Sequence, residues 1–513
     1  MTNERHRERE DRGRRLRARA WALVTVAAGL LYLIWVFRAL NPAHPVLGAV
    51  FVFAELCCLG LFIVTTIGVW ELRFKREEGV PLDQARSVDV FVPVCGEPAD
   101  MVTRTLEALD GVRWVGEKRV YVLDDGPTPG VREVADALGF TYLSRDDTGD
   151  ARAYAKAGNL NFGLAHSQGE LILVMDADQV AAPHILEALA GYMRFPAVAF
   201  VQSQQSFLVP EGDPFFNNDH VFYEAVQLGL DGGDCVVSCG SGVLYRREAL
   251  DHVGGFATWN LVEDLTTSYN MHAAGWKSLY YQYPLSVGLS PMNVWGVYRQ
   301  RGQWALDTLR LFFWDNPLFK RGLDVFGRVS YLIIALAYLC AAFVFPFFFM
   351  VPIWSYLTGG NVLYRHELEF AAYRGLYFVC MALAMHYLFR GRQAGKQFQV
   401  LTGLFPVYAR AAMLALMYPS RRQRAYRPNN ESGPRRVPPA WLAVLPQIVL
   451  LVANAVLPFY AIMVGRVPAR LIAANIAISA LAIWSLLPVV LGALQAPAAP
   501  VAEAPREVMD GLA

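Results

Sequence analysis

The sequence predicts an α/β domain with a mixed, mostly parallel sheet, inserted in a bundle of six transmembrane helices. Apolar stretches long enough to cross a bilayer occur twice near the start of the chain and four times in its second half. Between these two groups, short β-rich runs alternate with helical patterns, which is typical of parallel strands joined by crossover helices. The hydrophobic fraction, 55% of 513 residues, is too high for an ordinary soluble protein.

The Lys and Arg residues predict how the chain crosses the membrane. The six apolar stretches are residues 21–40, 46–70, 329–354, 370–389, 440–464 and 471–494. An Arg-rich segment precedes the first stretch, and positive charge favours the cytoplasmic side. Counting spans from that end places both termini in the cytoplasm of a multi-pass plasma-membrane protein in contact with the lipid bilayer. The net charge of +1 gives no field that would attract nucleic acid, so no nucleic-acid partner is expected.

The same stretches define the expected domain organisation. The α/β domain and the basic loop between the fourth and fifth spans are both expected in the cytoplasm, and the Ala/Pro-rich tail has a composition typical of disorder. In chain order we expect a basic arm (1–18), two transmembrane helices (19–72), the α/β domain (73–290), interfacial amphipathic helices (291–328), four transmembrane helices (329–494) that include an interfacial helix and the basic loop (390–439), and the tail (495–513).

Two apolar strands of the α/β domain end in paired carboxylates. Asp124 and Asp125 close the run VYVLDD, and Asp176 and Asp178 close LILVMDAD. Ligands bind at the carboxyl ends of strands in open α/β sheets. Mg²⁺ is commonly held by one or two carboxylates together with substrate phosphates. A solvated turn is the alternative for either pair alone, but two such strand ends in one domain favour a metal–diphosphate site.

Two further motifs follow in the chain. Glu263 and Asp264 lie in WNLVEDLTTS, where a carboxylate near an acceptor hydroxyl could serve as general base. The alternative is a favourable negative charge at a helix N-terminus. In RQRGQW, Trp304 offers a flat apolar face for a sugar ring, and the alternative is an anchor at the membrane interface.

The ordered set of motifs resembles a known family. In chain order the segments are VDVFVPVCGEP, DDG, KAGNLN, DAD, VQSQQSF, SCGSG, VED and QRGQW. Together they resemble the processive family-two glycosyltransferases, the cellulose synthase-like group that includes cellulose, chitin and hyaluronan synthases. The resemblance covers the whole cytosolic domain and the arrangement of spans around it. It implies a nucleotide-sugar transferase domain of the glycosyltransferase-A type.

The resemblance also implies a role for each motif residue. The residues expected to bind the donor nucleotide and its diphosphate are Val94, Glu97, Asp124, Asp125, Lys156, Asp176, Arg299 and Gln300. Asp176 and Asp178 would hold the metal ion, Mg²⁺ or Mn²⁺, and Asp264 would be the catalytic base. The residues expected on the acceptor side are Cys239, Gly240, Ser241, Glu263 and Trp304.

The activity that follows from the resemblance is inverting transfer from a UDP-sugar to a glycan acceptor. Polymerisation and export of a β-linked polysaccharide, cellulose-like or built from an amino sugar, are expected, with accessory export subunits as candidate partners. Glu55 lies in the middle of the second span, where an ionisable residue is costly, and is a candidate channel residue. A hydrogen-bonded contact between helices is the alternative for Glu55.

The chain departs from the family pattern at several positions. Val262 replaces the threonine of the TED motif, and Gln303 replaces the arginine of QxxRW. We hypothesise that Arg299, one helical turn before Gln303, supplies the missing charge. The segment after the last interfacial helix lacks the FxVTxK gating sequence, and Tyr426 or Arg427 is a candidate to close over the donor there.

These departures leave two alternatives open. One is the transfer of a single sugar to a lipid or short acceptor, without polymerisation. The other, from a different functional class, is a transport or scaffold protein with a degenerate transferase domain. The retained carboxylates Asp176, Asp178 and Asp264 argue against the second alternative. Product length separates polymerisation from single addition.

Overall fold

A computed structural model of the chain describes residues 2–71, 85–126, 128–149, 153–209, 212–291, 293–364, 367–419, 438–465 and 467–495. The candidate gating residues Tyr426 and Arg427 lie outside these ranges, as does the tail after residue 495.

Within the described residues, six helices are long and apolar enough to cross a membrane. They are Gly13–Ala39, Pro45–Gly68, Val325–Thr358, Leu368–Leu388, Leu445–Val464 and Ala469–Leu494. Each overlaps one of the six predicted stretches. The first belongs to α1 (Thr2–Ala39), which begins well before the apolar part, and the second is α2 (Pro45–Gly68).

The α/β domain follows α2 and contains one mixed sheet. Its helices are α3 (Ala99–Asp110), α4 (Val131–Ala137), α5 (Arg145–Thr148), α6 (Ala155–Ala165), α7 (Ile185–Ala190), α8 (Gln227–Gly232), α9 (Arg247–His252) and α10 (Glu263–Ala273). Its strands are β1 (Val88–Val94), β2 (Lys118–Asp124), β3 (Thr141–Ser144), β4 (Leu171–Val174), β5 (Val180–Ala181), β6 (Val198–Leu208), β7 (Val243–Arg246) and β8 (Lys277–Leu289).

The strands lie in the order β3-β2-β1-β4-β7-β6-β8-β5. The half of the sheet that holds β3, β2, β1 and β4 is parallel throughout. In the other half, β7 runs antiparallel to both β4 and β6, and β5 runs antiparallel to β8. The structure therefore confirms the mixed sheet. The sequence analysis did not find β5, β7 or β8, because β5 and β7 are very short and β8 is interrupted by Pro284 and polar residues.

Every residue of β1 is buried, because helices cover both faces of the sheet. Val90 and Val92 pack on one face in a cluster that includes residues of α3 and α7, and Phe91 packs on the other face with residues of α6 and α8. Asp89 is also buried, and Arg247 pairs with it at 3.1 Å. A strand covered on both faces reads as a continuous apolar run, which explains why β1 was identifiable from the sequence.

Helix α11 (Val294–Trp314) connects the α/β domain to the membrane bundle. Asn293 caps it by accepting a hydrogen bond from the Gly296 N–H at 3.0 Å. The helices that follow are α12 (Val325–Leu339), α13 (Phe345–Thr358), α14 (Glu367–Leu388), α15 (Ala394–Gly403), α16 (Phe405–Met417), α17 (Ala440–Ala443), α18 (Leu445–Val464) and α19 (Ala469–Leu494). Helices α15 and α16 meet at a bend of 59°.

A buried apolar cluster joins α11 to the bundle. It contains Val297 and Leu309 of α11, Val407 of α16 and Val489 of α19. One side of α11 therefore packs on membrane helices, which leaves its other side to the α/β domain. This position allows one helix to contact both the α/β domain and the membrane helices.

Candidate active site

The carboxyl ends of β1, β2 and β4 meet at one edge of the sheet. Val94 of β1 lies opposite Asp124 of β2, and Phe91 of β1 lies opposite Val174 of β4. Parallel pairing fixes this arrangement, because the strands point the same way and end side by side. The two aspartate pairs predicted from the sequence therefore lie on either side of the carboxyl end of β1.

Asp124 holds the turn that follows β2. Its carboxylate accepts hydrogen bonds from the N–H groups of Gly126 at 2.9 Å and Thr128 at 3.1 Å, and from the Tyr142 hydroxyl at 2.8 Å. Burial raises its pKa, and the hydrogen bonds oppose that shift. The contacts of Asp124 therefore fix the turn at the carboxyl end of β2.

Asp125 forms a buried ion pair that the sequence analysis missed. The Arg145 guanidinium donates Nε–H to Asp125 Oδ1 at 2.6 Å and Nη2–H to Oδ2, so both carboxylate oxygens are engaged. The Asp125 side chain is 6% exposed and that of Arg145 is 4% exposed. The Asp125 N–H donates to the Val94 carbonyl at 2.9 Å, which ties this turn to β1. The only sequence signal for Arg145 was its position directly after β3.

Glu97 and Asp178 are crowded carboxylates beside this edge. Burial raises the pKa of Asp178 to about 7, and the charges of Asp176 and Glu97 add to that shift. Burial also raises the pKa of Glu97, whose carboxylate accepts a hydrogen bond from the Cys95 N–H at 2.5 Å. A divalent cation would relieve this repulsion between carboxylates, so the residues present fit a metal ion.

No group of three or more His, Cys, Asp or Glu side chains within the described ranges is arranged to hold a metal ion by itself. The DAD pair, Asp176 and Asp178, therefore offers an incomplete set of ligands. Mg²⁺ retains waters and commonly takes the remaining ligands from substrate phosphates. The geometry matches a site that the protein and a diphosphate would share.

Lys156 connects the DAD motif with the acidic pair at the start of α10. Its Nζ lies 2.6 Å from Asp176 Oδ1 and 3.2 Å from Glu263 Oε1, and it donates to the Gly240 carbonyl at 3.0 Å. Burial alone would lower the pKa of Lys156, but Asp176, Glu263 and Asp264 raise it well above its usual value. The residue is therefore a permanent positive charge between two acidic groups. A positive charge in that place suits a diphosphate.

The loop SCGSG carries the backbone close to these charges. Gly240 has a φ of +77°, and a Cβ there would lie 2.6 Å from Asp264 Oδ2 and 3.2 Å from Lys156 Nζ. Both its conformation and its surroundings therefore require glycine. The Ser241 hydroxyl accepts a hydrogen bond from the Asp176 N–H at 2.9 Å, which connects this loop to the DAD motif.

Two buried glutamines, which the sequence analysis did not single out, hold the same loop. Gln202 Oε1 accepts a hydrogen bond from the Cys239 N–H at 2.7 Å, and Gln202 Nε2 donates to the Ser241 carbonyl at 2.9 Å. Gln205 Nε2 donates to the Cys239 carbonyl at 3.0 Å. Burial raises the pKa of the Cys239 thiol, so it remains protonated. Cys239 is thus a small neutral residue in a loop fixed by side-chain amides.

Glu263 and Asp264 begin α10 and face Lys156. The Glu263 side chain is buried, Asp264 is half-buried, and Asp264 Oδ1 accepts a hydrogen bond from the Leu265 N–H at 2.6 Å. Burial and then the neighbouring Glu263 charge raise the pKa of Asp264 well above that of an ordinary carboxylate. Burial raises the pKa of Glu263 as well. A carboxylate with a raised pKa is a stronger base once it is deprotonated.

The QRGQW motif lies on α11, where Gln300 and Trp304 are half-buried and Arg299 is exposed. The role proposed for Arg299 remains a prediction. The buried arginine of this motif is Arg301, which donates to Asp219 Oδ2 at 2.7 Å and stacks over the Trp304 ring, 4.9 Å from its centroid. Arg301 therefore fixes the orientation of Trp304, and the sequence analysis missed this contact.

Glu55 lies in a closed contact between three membrane helices. It is 1% exposed, and its carboxylate accepts a hydrogen bond from the Tyr32 hydroxyl at 3.0 Å and pairs with Arg374. This geometry agrees with the helix–helix alternative that the sequence left open. The channel role of Glu55 remains a prediction that this contact does not support.

Two family models match the part of the chain that carries the motifs. Residues 85–306 match the family model described as Glycosyltransferase like family 2, and residues 251–390 match the model described as Cellulose synthase. Every predicted site residue from Val94 to Trp304 lies in one or both of these matched regions.

Curated relatives include cellulose synthases. Cellulose synthase 1 of Komagataeibacter xylinus is 35% identical over 305 residues, which are 57% of this chain and 19% of that protein. The cellulose synthase catalytic subunit [UDP-forming] of Pseudomonas fluorescens (strain SBW25) is 32% identical over 307 residues, 56% of this chain and 40% of that protein. The chain therefore spans less than half the length of these relatives.

A solved structure shares the fold. The mannosyltransferase PcManGT from Pyrobaculum calidifontis, in complex with GDP-Man and Mn²⁺, is similar with a TM-score of 0.50. The similarity covers 71% of this chain and 98% of that chain, at 17% identity. At an identity this low, the structural similarity shows a shared fold alone. Together with the family match, it confirms the predicted glycosyltransferase-A type of fold.

Proposed function

We propose that this chain, which carries a family-two glycosyltransferase domain of the cellulose synthase-like type, is an inverting glycosyltransferase of the membrane that uses a UDP-sugar and polymerises a β-linked glycan. One observation carries this proposal. Asp176, Glu263 and the Gly240 carbonyl, which belong to three separate motifs, lie within 3.2 Å of the ammonium group of Lys156, which belongs to a fourth motif. Their convergence brings donor and acceptor motifs into one site.

The donor would lie across the ends of β1, β2 and β4. Val94, Glu97, Asp124 and Asp125 would surround the base and ribose, and Lys156 would neutralise the diphosphate. Asp176 and Asp178 would hold Mg²⁺ or Mn²⁺, which would stabilise the negative charge that develops on the departing UDP. Pairing with Arg145 would hold the Asp125 carboxylate in place.

Asp264 would be the base that removes the proton from the acceptor hydroxyl. Its position supports this role, because glycine at residue 240 lets the SCGSG loop of the acceptor motif approach the Asp264 carboxylate closely. A single in-line displacement inverts the anomeric centre, so an α-linked donor would give a β-linked product. Trp304 would support the acceptor ring, and the gain comes from orientation of the two reactants.

The membrane helices would place the site at a surface from which the product can leave. The basic segment before α1 favours a cytoplasmic N-terminus, and the α/β domain would then also face the cytoplasm. Helix α11 packs on the bundle while it carries Trp304, so the acceptor side of the site lies next to the membrane helices. A glycan held there would be positioned to enter the bundle.

Single addition to a lipid or short acceptor is the second candidate. The observation that favours it is Gln303, which stands where the family pattern has arginine and donates to Asp307 at 2.7 Å. This contact directs Gln303 toward a protein carboxylate, whereas the family arginine faces the diphosphate. Product length separates the two candidates.

The test is purified protein in lipid nanodiscs with Mg²⁺ or Mn²⁺ and a panel of UDP-sugars. We expect release of UDP with one donor and a ladder or polymer as product, and neither in an Asp264→Asn preparation. A product that carries only one added sugar would favour the second candidate over polymerisation. Absence of UDP release with every donor would refute the transferase and return the chain to the transport or scaffold class.

A further inference from the structure

Asp307 lies on α11, three residues after Trp304, and has no role in the motifs described above. Asp307 and Arg310 are both fully buried. Removing a carboxylate from water costs several kcal/mol unless other groups compensate it. The contacts of Asp307 therefore indicate which part of the protein it holds.

One oxygen of Asp307 accepts three hydrogen bonds. The N–H groups of Leu261 and Val262 donate to Oδ2 at 3.0 and 2.9 Å, and Gln303 Nε2 donates to the same atom at 2.7 Å. Leu261 and Val262 directly precede Glu263, where α10 begins. Val262 is the N-cap residue of α10 and makes no side-chain cap. A carboxylate near this helix N-terminus is also favoured by the helix dipole.

Arg310 completes the cluster from one turn further along α11. Its Nη1 lies 3.5 Å from Asp307 Oδ1 and donates to Asn260 Oδ1 at 2.9 Å. Asn260 Nδ2 in turn donates to the Thr266 hydroxyl at 3.0 Å, in the first turn of α10. The side chains of Asp307 and Arg310 therefore bind the segment that leads into α10 to α11.

We propose that Asp307 is a positioning residue that fixes the segment before α10, and with it Glu263 and Asp264, against the donor. Gln303 and Arg310 are its partners. The proposal rests on the proposed transferase function. It gives Gln303 a role as well, since its carboxamide donates a hydrogen bond to the Asp307 carboxylate.

Asp307→Asn tests the proposal with little change of shape. The amide oxygen can still accept a hydrogen bond, but the neutral group binds two N–H donors and Gln303 less well. We expect kcat for sugar transfer to fall by roughly 10²-fold, because small displacements of reacting groups have effects of that size. The KM for the donor is expected to change less than twofold. Asp315→Asn is the matched control, because Asp315 follows α11 directly and pairs with Lys320 at 2.5 Å.

Hydrogen exchange provides a readout that needs no substrate. In Asp307→Asn, peptides covering residues 257–268 should exchange faster, while peptides that cover β2 and β4 keep their protection. If these peptides exchange faster in the variant but the wild-type protein transfers no sugar, the transferase proposal is refuted and the positioning contact stands. Unchanged exchange, or a fall in kcat matched by an equal rise in donor KM, would overturn the role of Asp307.

Discussion

The donor and acceptor sides of the candidate site are built in different ways. On the donor side, Asp124 ends β2, Asp125 follows it, and the DAD pair lies just after β4; parallel pairing brings these strand ends together. On the acceptor side, the SCGSG loop is held by Gln202 from β6, and the start of α10 is held by Asp307 from α11. The proposed donor residues thus take their positions from strand pairing, whereas the proposed acceptor segments are held by side-chain hydrogen bonds from elsewhere in the chain.

This difference has a consequence for function. The sheet is a rigid, buried frame, so the donor side can tolerate changes elsewhere in the molecule. The acceptor side depends on α11, which also packs on the membrane bundle. A change in the bundle can therefore reach the acceptor through α11 without disturbing donor binding, and the following predictions test that separation.

The largest effect is expected for Asp264→Asn. Loss of the general base should lower kcat for transfer by roughly 10³-fold, within the range for removing such a group. UDP affinity should remain within twofold, because the donor side is unchanged. Steady-state UDP release together with equilibrium UDP binding measures both quantities. Asp136→Asn, an exposed change on α4, is the control and should behave as wild type.

Arg145→Met is expected to have the next largest effect, and on the donor side alone. It leaves Asp125 buried without its partner, which should destabilise the domain by about 3–5 kcal/mol and weaken UDP binding. The double variant Asp125→Leu/Arg145→Met removes both charges and should recover most of the stability, as measured by thermal unfolding. If the double variant also recovers UDP affinity, Asp125 has no role at the nucleotide.

A pH profile tests the acceptor side. Burial and the Glu263 charge raise the pKa of Asp264, and the base form exists only above that pKa. Therefore kcat/KM should rise with pH through the neutral range, by up to about tenfold per unit below the pKa. An ordinary carboxylate would give a flat profile above about pH 5. A flat profile between pH 6 and 8 would show that Asp264 is not the titrating base.

The smallest effect on chemistry is expected for Glu55→Gln. Glu55 lies in the bundle, paired with Arg374 and Tyr32, and far along α2 from the α/β domain. UDP release should therefore stay within about twofold, while thermal stability in lipid falls because Arg374 loses its buried partner. Comparing UDP release with glycan export in vesicles also tests the channel role, which requires export to fall while UDP release persists.

Local patterns predicted where the paired carboxylates lie, since a strand followed by carboxylates is visible in the sequence. Asp125, Asp176 and Asp178 all follow strands that the sequence analysis identified. Arg145 was missed because its partner is 20 residues away and no periodicity connects them.

The acceptor side was predicted only where a motif names the residue. Gly240 and Asp264 were found through the family pattern, but their supports Gln202 and Asp307 were not. A glutamine on a strand or an aspartate on a helix reads as an ordinary polar residue, and its contact with a distant backbone N–H appears only in the fold. The six membrane spans were predicted because length and hydropathy suffice for them.

The most direct test of the two-sided site is calorimetric binding of UDP in the presence of Mn²⁺ to two variants, Asp178→Asn and Asp264→Asn. Both changes replace a carboxyl group in the same acidic region with an amide. The separation of donor and acceptor sides predicts that Asp178→Asn weakens UDP binding by at least about tenfold, or 1.4 kcal/mol. It predicts that Asp264→Asn binds UDP within twofold of wild type. Equal loss in both variants, or loss in Asp264→Asn alone, would contradict it.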